Sequence, residues 1–373
     1  MTLPGVVISG YYGFGNAGDE AILESTVASL RSAIPGLGIT VISKNPSATS
    51  RELDVRAVGR LDVGGITQAL LGSGMLLSGG GSLLQDVTSV RSLVYYLGIM
   101  VLAKSFGRKV MLFANGFGPV TSRQGRFLCR AVLDRIDVAT FRDRNSLEDV
   151  LSLGVSGPYS EVTADPVFLL DEALSAAEHA EYANSAQESL GRCGVPPTGG
   201  PLVTVSLRPW KHAPASFADV MKTALVRLSS MGARVLLAPL HFDQDAAFCE
   251  HLARGARSPL YVLRERVRPQ VMLEIMGLSQ AVIGMRLHSL VFAVSKAVPC
   301  AAISYDPKVQ SFADSAGIPT ACDIQGATVV GIQTVIEDLL SRRAEVSSML
   351  AARRSEFVRL ARRNIELVKQ TLG

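Results

Sequence analysis

The sequence has few cysteines, few aromatic residues and no long uncharged apolar run. Its five cysteines are widely spaced, odd in number and include no C-x-x-C pair. This spacing argues against a disulfide framework and a zinc site, and it suits a reducing compartment. No apolar run reaches the roughly 18–20 residues that a membrane span needs. No basic region precedes the first apolar stretch, so we expect no signal peptide. Together with the cysteine spacing, this predicts a cytoplasmic protein without a bound metal.

Charge of either sign is also sparse. Charged residues make up 19% of the chain against 48% hydrophobic residues, and the formal net charge is +4. So small an excess of positive charge does not indicate a nucleic-acid partner. The 373 residues suffice for two globular domains, each with its own core. Oligomeric state cannot be deduced from these numbers.

Apolar strand-like runs alternate with helical patterns along the chain, which is typical of parallel α/β sheets. One series starts at Gly5, the pattern breaks near Asp165, and a second series starts at Leu202. We expect a cleft between two such domains, lined by the carboxyl ends of the strands. The predicted organisation is a first α/β domain at 1–170, a linker at 171–200, a second α/β domain at 201–334 and a basic helix at 335–373.

That C-terminal helix has two interpretations. Its arginines and lysine could simply form a solvated face. They could also form a basic amphipathic surface beside an anionic membrane.

The turn after the first predicted strand is rich in glycine. Gly13–Gly18 formally satisfies G-x-G-x-x-G, but the second strand ends Ser43–Lys44–Asn45, without the carboxylate that would hold a ribose. The lysine leaves NADP open. The turn continues into Asp19 and Glu20, which could cap the following helix or act as a general acid or base.

Two further glycine turns follow predicted strands. Gly79–Gly81 and the adjoining Ser82 let the backbone approach a ligand closely, and their N–H groups could hold an anion. The third turn is Asn115–Pro119. Together these turns suggest a groove for a sugar or a polymer end.

In the second half of the sequence, basic residues follow several of the predicted strands. Arg208 follows one strand, and Arg286 and His288 stand where another strand runs into a helix. Lys308 adds a further cation, and His241 also follows a strand and could line the pocket. An arginine in such a place can be a surface residue or a structural ion pair. Two arginines beside a titratable imidazole favour a binder of carboxylate or phosphate.

The chain resembles the polysaccharide pyruvyl transferase family, and within it the CsaB-type branch. The likeness runs in unbroken order from about residue 5 to residue 316. The motifs that carry it are Asn16–Ala21, Gly79–Leu83, Gly116–Pro119, Arg142–Ser146, Ala164–Pro166, Ser206–Arg208, Met285–His288 and Tyr305–Lys308.

The resemblance implies a GT-B-like architecture of two Rossmann-type domains with parallel sheets facing a central cleft. It implies transfer of pyruvate from phosphoenolpyruvate (PEP) to two hydroxyls of a sugar as a ketal, with release of phosphate. CsaB-type members are associated with N-acetylmannosamine in a lipid-linked precursor of the secondary cell-wall polymer that anchors S-layer proteins. The partners implied are therefore PEP, a lipid-linked saccharide and the cytoplasmic face of the membrane. The PEP-binding residues implied are Arg208, Arg286, Leu287 and His288.

The chemistry of the residues agrees with this resemblance. PEP carries a carboxylate and a phosphate, which suit Arg208, Arg286 and Lys308. Ketal formation needs one acid and one base, and no step requires a cofactor or a metal. We assign His288 as the acid and Asp19 or Glu20 as the base, although the reverse roles fit equally well. We expect the acceptor to contact Asn16, Gly80, Gly81 and Ser82.

Two other functions stay open. A GT-B glycosyltransferase using a nucleotide sugar would share the architecture and the basic donor edge. It usually needs a glycine-rich loop and an acidic residue in the second domain, and neither is evident there. A non-catalytic protein that binds anions or glycans is the other alternative.

Overall fold

A computed structural model describes residues 5–86 and 90–373. The chain divides into two compact units. The first comprises the described residues before Gly15 together with Asp19–Ala173 and Phe357–Gly373, and the second comprises Gly15–Gly18 and Leu174–Glu356. Residues 1–4, which belong to the stretch used to predict the absence of a signal peptide, lie outside the described residues.

The first unit contains a seven-stranded parallel sheet. Its strands are β1 (Gly5–Ser9), β2 (Ile39–Ser43), β3 (Arg56–Gly59), β4 (Ser73–Gly81), β5 (Lys109–Asn115), β6 (Val138–Phe141) and β7 (Tyr159–Val162). They lie in the order β3-β2-β1-β4-β5-β6-β7. The order reverses between β1 and β4, and sheets of this kind bind ligands beyond the strand carboxyl ends at such a reversal.

Helices cover both faces of this sheet, as right-handed crossover connections require. They are α1 (Ala17–Ala33), α2 (Pro46–Leu53), α3 (Val63–Leu71), α4 (Val90–Ser105), α5 (Arg123–Leu133) and α6 (Arg144–Ser152). The inner faces of α3 to α6 share one apolar core with the sheet. Leu70, Met100 and Cys129 of these helices pack there with Leu76 and Leu112 of the strands.

The second unit repeats the architecture with six strands, β8 (Leu202–Ser206), β9 (Arg234–Leu237), β10 (Leu260–Val262), β11 (Ala281–Gly284), β12 (Cys300–Ser304) and β13 (Thr320–Asp323). All pair in parallel, in the order β10-β9-β8-β11-β12-β13. The order reverses between β8 and β11. The predicted α/β fold with two Rossmann-like parallel sheets is therefore confirmed.

The helices of this unit and of the C-terminus are α7 (Ala176–Arg192), α8 (Phe217–Ser230), α9 (Phe242–Ala253), α10 (Pro269–Leu278), α11 (Leu287–Ser295), α12 (Pro307–Ala316), α13 (Val329–Ser341) and α14 (Arg343–Leu372). No described helix combines the length and the apolar character needed to cross a bilayer.

Two stretches differ from the sequence expectation. The segment expected as a linker contains the whole of α7, which starts with a capping box between Ser175 and Glu178 and buries Tyr182 and Ala186. The expected single C-terminal helix is two helices, and the part of α14 from Phe357 onward belongs to the first unit. Alanine-rich polar sequence favours helix as well as linker, and packing decides between them.

Candidate active site

Arg208 and Arg286 lie at the same edge of the second sheet. β8 and β11 are parallel neighbours, with Ser206 opposite Gly284, and each arginine follows its strand by two residues. The two residues therefore flank the point where the strand order reverses. In open α/β sheets this is where ligands bind.

Arg286 is held by a buried carboxylate that sequence reasoning did not select. Its Nε and Nη2 donate to Asp245 Oδ2 at 3.0 Å and Oδ1 at 2.5 Å. Asp245 is fully buried and lies in the first turn of α9. Bidentate pairing of this kind fixes the plane of a guanidinium. The sequence signals this residue only as an aspartate four positions after His241, which itself follows a strand.

Arg208 has a different environment. Its guanidinium stacks on the rings of Trp210 and Tyr305, at 5.3 and 5.5 Å from their centroids. Nη1 donates to the Tyr305 hydroxyl at 3.2 Å, whereas the buried Nε has no hydrogen-bond partner among the described residues. No described carboxylate forms an ion pair with Arg208. Its positive charge is therefore available to an anion.

His241 follows β9 and lies beside the Arg286–Asp245 pair. Its backbone N–H donates to Asp245 Oδ2 at 2.9 Å. Burial lowers the pKa of the imidazole, and the charge of Arg286 lowers it further, so the ring is neutral at pH 7. Both ring nitrogens are buried and lack a hydrogen-bond partner among the described residues. A buried neutral imidazole of this kind can accept from or donate to a bound ligand.

His288 occupies the first turn of α11, directly after Leu287. The backbone of Gly18 lies against its ring, since a Cβ on Gly18 would stand 2.2 Å from His288 Nδ1. Asn16 forms an antiparallel bridge with His241. The turn that we assigned to the acceptor therefore places Asn16 and Gly18 in the second unit, beside the two histidines.

Lys308 lies one strand further along the same edge. β12 ends at Ser304, and Asp306 caps the next helix by accepting from the Lys308 N–H at 2.9 Å. Arg208, Arg286 and Lys308 thus follow the carboxyl ends of three strands, β8, β11 and β12, which are neighbours in the sheet. All the residues predicted to bind PEP therefore belong to this one unit and follow the carboxyl ends of its strands.

The first unit holds the other predicted residues. Asp19 is buried, and Gly81 lies so close that an added Cβ would stand 2.7 Å from Asp19 Oδ1. Burial raises the pKa of Tyr12 well above its usual value, and the charge of Asp19 raises it further. Glu20 accepts from the Gly13 N–H at 2.9 Å. Glu20 therefore holds the glycine turn, while Asp19 lies against Gly81.

Ser82 belongs to a polar cluster that also contains a buried ion pair. Arg142 Nη2 donates to Ser82 Oγ at 2.9 Å, and Arg142 Nη1 lies 3.1 Å from Asp165 Oδ2. Asn115, at the end of β5, is fully buried, and neither amide atom has a hydrogen-bond partner among the described residues. Sequence analysis pointed to the Asn115 turn but did not select Asn115 itself.

Two Rossmann-like units of this topology also form GT-B glycosyltransferases and related epimerases. The chain is similar in structure to UDP-GlcNAc 2-epimerase from Neisseria meningitidis bound to UDP-GlcNAc, with a TM-score of 0.64, 11% identity and 98% of each chain covered. It is similar to Anabaena HepE in complex with UDP and glucose, with a TM-score of 0.62, 11% identity and 99% of each chain covered. It is similar to a glycosyltransferase from Rickettsia africae, with a TM-score of 0.64, 9% identity and 99% of each chain covered.

These identities show the fold alone. The family model for polysaccharide pyruvyl transferase matches residues 16–307, and the chain belongs to that family. No curated protein matches the chain. The predicted resemblance to the family is thus confirmed.

Proposed function

We propose that this protein transfers pyruvate from PEP to a sugar as a ketal and releases phosphate. The observation that carries the proposal is Arg208. Its guanidinium has no carboxylate partner among the described residues, and it is oriented by Trp210 and Tyr305. Arg208 follows β8, whose neighbour β11 precedes Arg286. A small ligand with two anionic groups matches this edge better than a neutral one does.

The reaction balances with groups that the chain carries. A proton adds to the methylene carbon of PEP, a sugar hydroxyl attacks the resulting cation at C2, phosphate leaves, and the second hydroxyl closes the ring. His288 supplies the proton, and Arg208, Arg286 and Lys308 bind the carboxylate and the phosphate. Asp19 or Glu20 is our base for the sugar hydroxyl, and Glu20 also accepts from the Gly13 N–H. The reverse assignment, with a carboxylic acid as the acid and His288 as the base, is tested by measuring how kcat depends on pH in variants of these residues.

We further propose that the acceptor is N-acetylmannosamine of a lipid-linked secondary cell-wall polymer precursor, as in the CsaB-type branch. The site of action is then the cytoplasmic face of the membrane. The acceptor contacts we assign are Asn16, Gly80, Gly81 and Ser82. Arg142 supports this role for Ser82, because its hydrogen bond fixes the hydroxyl oxygen.

The alternative is a GT-B glycosyltransferase that uses a nucleotide sugar. Structures of two proteins with a similar fold contain UDP-GlcNAc, or UDP and glucose. In this chain the first turn of the second unit reads Leu207–Arg208–Pro209–Trp210, without the glycines that cradle a diphosphate. This difference favours PEP as the donor.

The decisive experiment offers PEP or UDP-sugars to the protein with a panel of aryl-tagged and lipid-linked saccharides. We expect phosphate release with PEP, and a product heavier than the acceptor by one pyruvate less one water. Release of UDP without any product from PEP would establish the alternative. Binding of PEP without product from any acceptor would instead support an anion-binding protein.

Variants assign the roles within this assay. Arg208→Gln should raise the KM for PEP at least thirtyfold, since a desolvated charge-assisted contact is worth about 2–5 kcal/mol. His288→Gln should lower kcat by roughly 10²–10⁴. Arg264→Gln is the matched control, because Arg264 is exposed and paired with Glu250 in the same unit. Unchanged kinetics in Arg208→Gln would remove Arg208 from the site.

A further inference from the structure

The outer surface of α3 to α6 exposes an unusual share of large apolar side chains. Of twelve such exposed side chains among the described residues, eight lie on this layer or just before it. Phe127 is 71% exposed, and Val94 and Val101 are about half exposed. The eight residues are Leu61, Val63, Leu71, Val90, Val94, Val101, Phe127 and Leu151. Scattered exposed apolar residues need no explanation, but their concentration on one layer does.

The apolar residues of α4 and α5 fall on outward faces. Val90, Val94 and Val101 recur at helical spacing along one exposed stripe of α4, which borders the buried Leu93, Leu97 and Met100. In α5, Phe127 stands one turn from Arg123 and from Arg130, opposite the buried Cys129 and Leu133. The two helices pack side by side. We call this surface the α4–α5 face, defined by Arg91, Val94, Val101, Arg123, Arg126, Phe127 and Arg130.

The same segment carries most of the excess positive charge. Residues 90–137 contain eight lysines and arginines and two acids, Asp134 and Asp137, whereas the net charge of the whole chain is only +4. Asp137 pairs with two of these cations, Lys104 and Lys109. Asp134 accepts from the backbone N–H groups of Ser156 and Gly157, which lower its pKa. Arg91, Arg123, Arg126 and Arg130 are exposed, and none forms an ion pair within the described residues. Asp134 lies near enough to Arg130 for their charges to interact, but no ion pair in the described part of the chain neutralises any of the four guanidinium groups.

The basic C-terminal helix contrasts with this surface. Several of its arginines are paired with acids. Arg342 lies 2.7 Å from Glu345, Arg353 lies 2.6 Å from Glu356, and Arg362 lies 2.6 Å from Glu172. Each of these pairs is neutral, which weakens the attraction of its arginine to an anionic surface. Helix α14 as a whole still carries seven lysines and arginines against three acids.

We propose that the α4–α5 face docks on an anionic membrane surface. Phe127 and the valines would enter the boundary between headgroups and acyl chains, while the arginines bind lipid phosphates. Long arginine side chains suit this arrangement, since their stems lie on apolar surface while their heads reach the headgroups. The proposal goes beyond the catalytic activity and does not depend on it, because it needs only lipid.

Cosedimentation of the full chain with vesicles tests the proposal without any acceptor. We expect binding to mixed phosphatidylglycerol and phosphatidylcholine vesicles at low salt, with little binding to phosphatidylcholine alone. Arg123→Gln/Arg126→Gln/Arg130→Gln should weaken partitioning about 100-fold, at roughly fivefold per arginine. Phe127→Ser should lower the amount of protein that stays bound at high salt, because salt does not screen the apolar contact. Melting curves monitored by circular dichroism establish that each variant is folded.

The matched control removes three charges from α14 and the residue before it, in Arg342→Gln/Arg343→Gln/Arg353→Gln. Partitioning of this variant should stay within about threefold of the parent. The proposal is overturned if this control variant loses binding while the α5 variant keeps it, or if anionic vesicles are not bound at low salt. It is also overturned if light scattering shows a dimer that Phe127→Ser dissociates and vesicles bind neither form.

Discussion

At the scale of single residues, the pairing of Arg286 with Asp245 changes the electrostatics expected at the second sheet. The pair has no net charge, whereas no described carboxylate pairs with Arg208, so we expect Arg208 to offer a ligand more positive charge than Arg286 does. If Arg286 binds the ligand as proposed, we expect it to act through the fixed plane of its guanidinium rather than through uncompensated charge. A bidentate clamp of this kind costs little reorganisation when a ligand binds.

Asp245→Asn tests this clamp. The substitution leaves the charge of Arg286, whose side chain is only 12% exposed, without its counter-ion. We expect the free energy of unfolding to fall by about 3 kcal/mol, near the low end for breaking a buried ion pair. Urea denaturation measures this loss, and the KM for PEP should rise in the same variant because Arg286 loses its orientation.

Glu250→Gln on the same helix is the control for Asp245→Asn. It breaks the exposed pair between Glu250 and Arg264, which should cost less than about 1 kcal/mol. Equal losses in the two variants would contradict a special role for Asp245.

The sequence identified Arg208, Arg286 and Lys308 because each follows an apolar strand, and that signal is local. It did not identify Asp245, because the contact joins residues 41 positions apart in the chain. For the same reason the sequence offered Asn115 and Arg142 only as parts of motifs. The partners of Arg142 follow other strands and are set by the sheet order.

At the scale of elements, the central strands were predictable and three edge strands were not. β3, β7 and β13 lie at sheet edges, and their residues are mostly half-exposed. Strands buried on both faces form continuous apolar runs, whereas short edge strands lack that pattern. The apolar runs Gly5–Ser9, Ile39–Ser43 and Ala281–Gly284 therefore predict β1, β2 and β11 with their observed bounds, whereas the pattern does not reveal these three edge strands.

Gly79 shows how an element depends on one backbone position. Its φ is +153°, and an added Cβ would lie 2.1 Å from the Phe113 carbonyl oxygen of β5. Gly79→Ala should lower the free energy of unfolding by about 3 kcal/mol or more, because the clash is with backbone and the conformation is strained. Chemical denaturation monitored by circular dichroism measures the change.

Gly98→Ala serves as the matched control in α4. A Cβ added to Gly98 would meet no atom of the described residues within 4 Å, so alanine should raise stability by about 0.5–1 kcal/mol. A Gly79→Ala protein as stable as the Gly98→Ala protein would show that β4 and β5 adjust freely.

At the scale of the whole molecule, the chain returns at its C-terminus to the unit in which it began. The last part of α14 places Asn364, fully buried, against the end of β7. Asn364 Nδ2 donates to the Ala164 carbonyl at 3.0 Å, and Oδ1 accepts from Thr163 Oγ1 at 2.9 Å. These bonds join residues about 200 positions apart and fasten the terminal helix to the first unit.

Asn364→Ala should lower the free energy of unfolding by about 2–3 kcal/mol, because the Ala164 carbonyl is left buried without its donor. Thermal and urea unfolding measure the loss. Arg359→Ala, at an exposed position of the same helix, should change stability by less than about 0.5 kcal/mol. A loss in Asn364→Ala no larger than in Arg359→Ala would mean that water satisfies the buried carbonyl.

The sequence by itself determined the α/β class, the central strands and the cations that follow them, since these depend on local periodicity and on the residues at strand ends. Only the tertiary structure decided that Asp245 compensates Arg286, that Asn16 and Gly18 lie beside His241 and His288, and that α14 ends in the first unit. Each of these contacts joins distant parts of the chain, and their energies depend on burial and on partners that sheet order alone brings together.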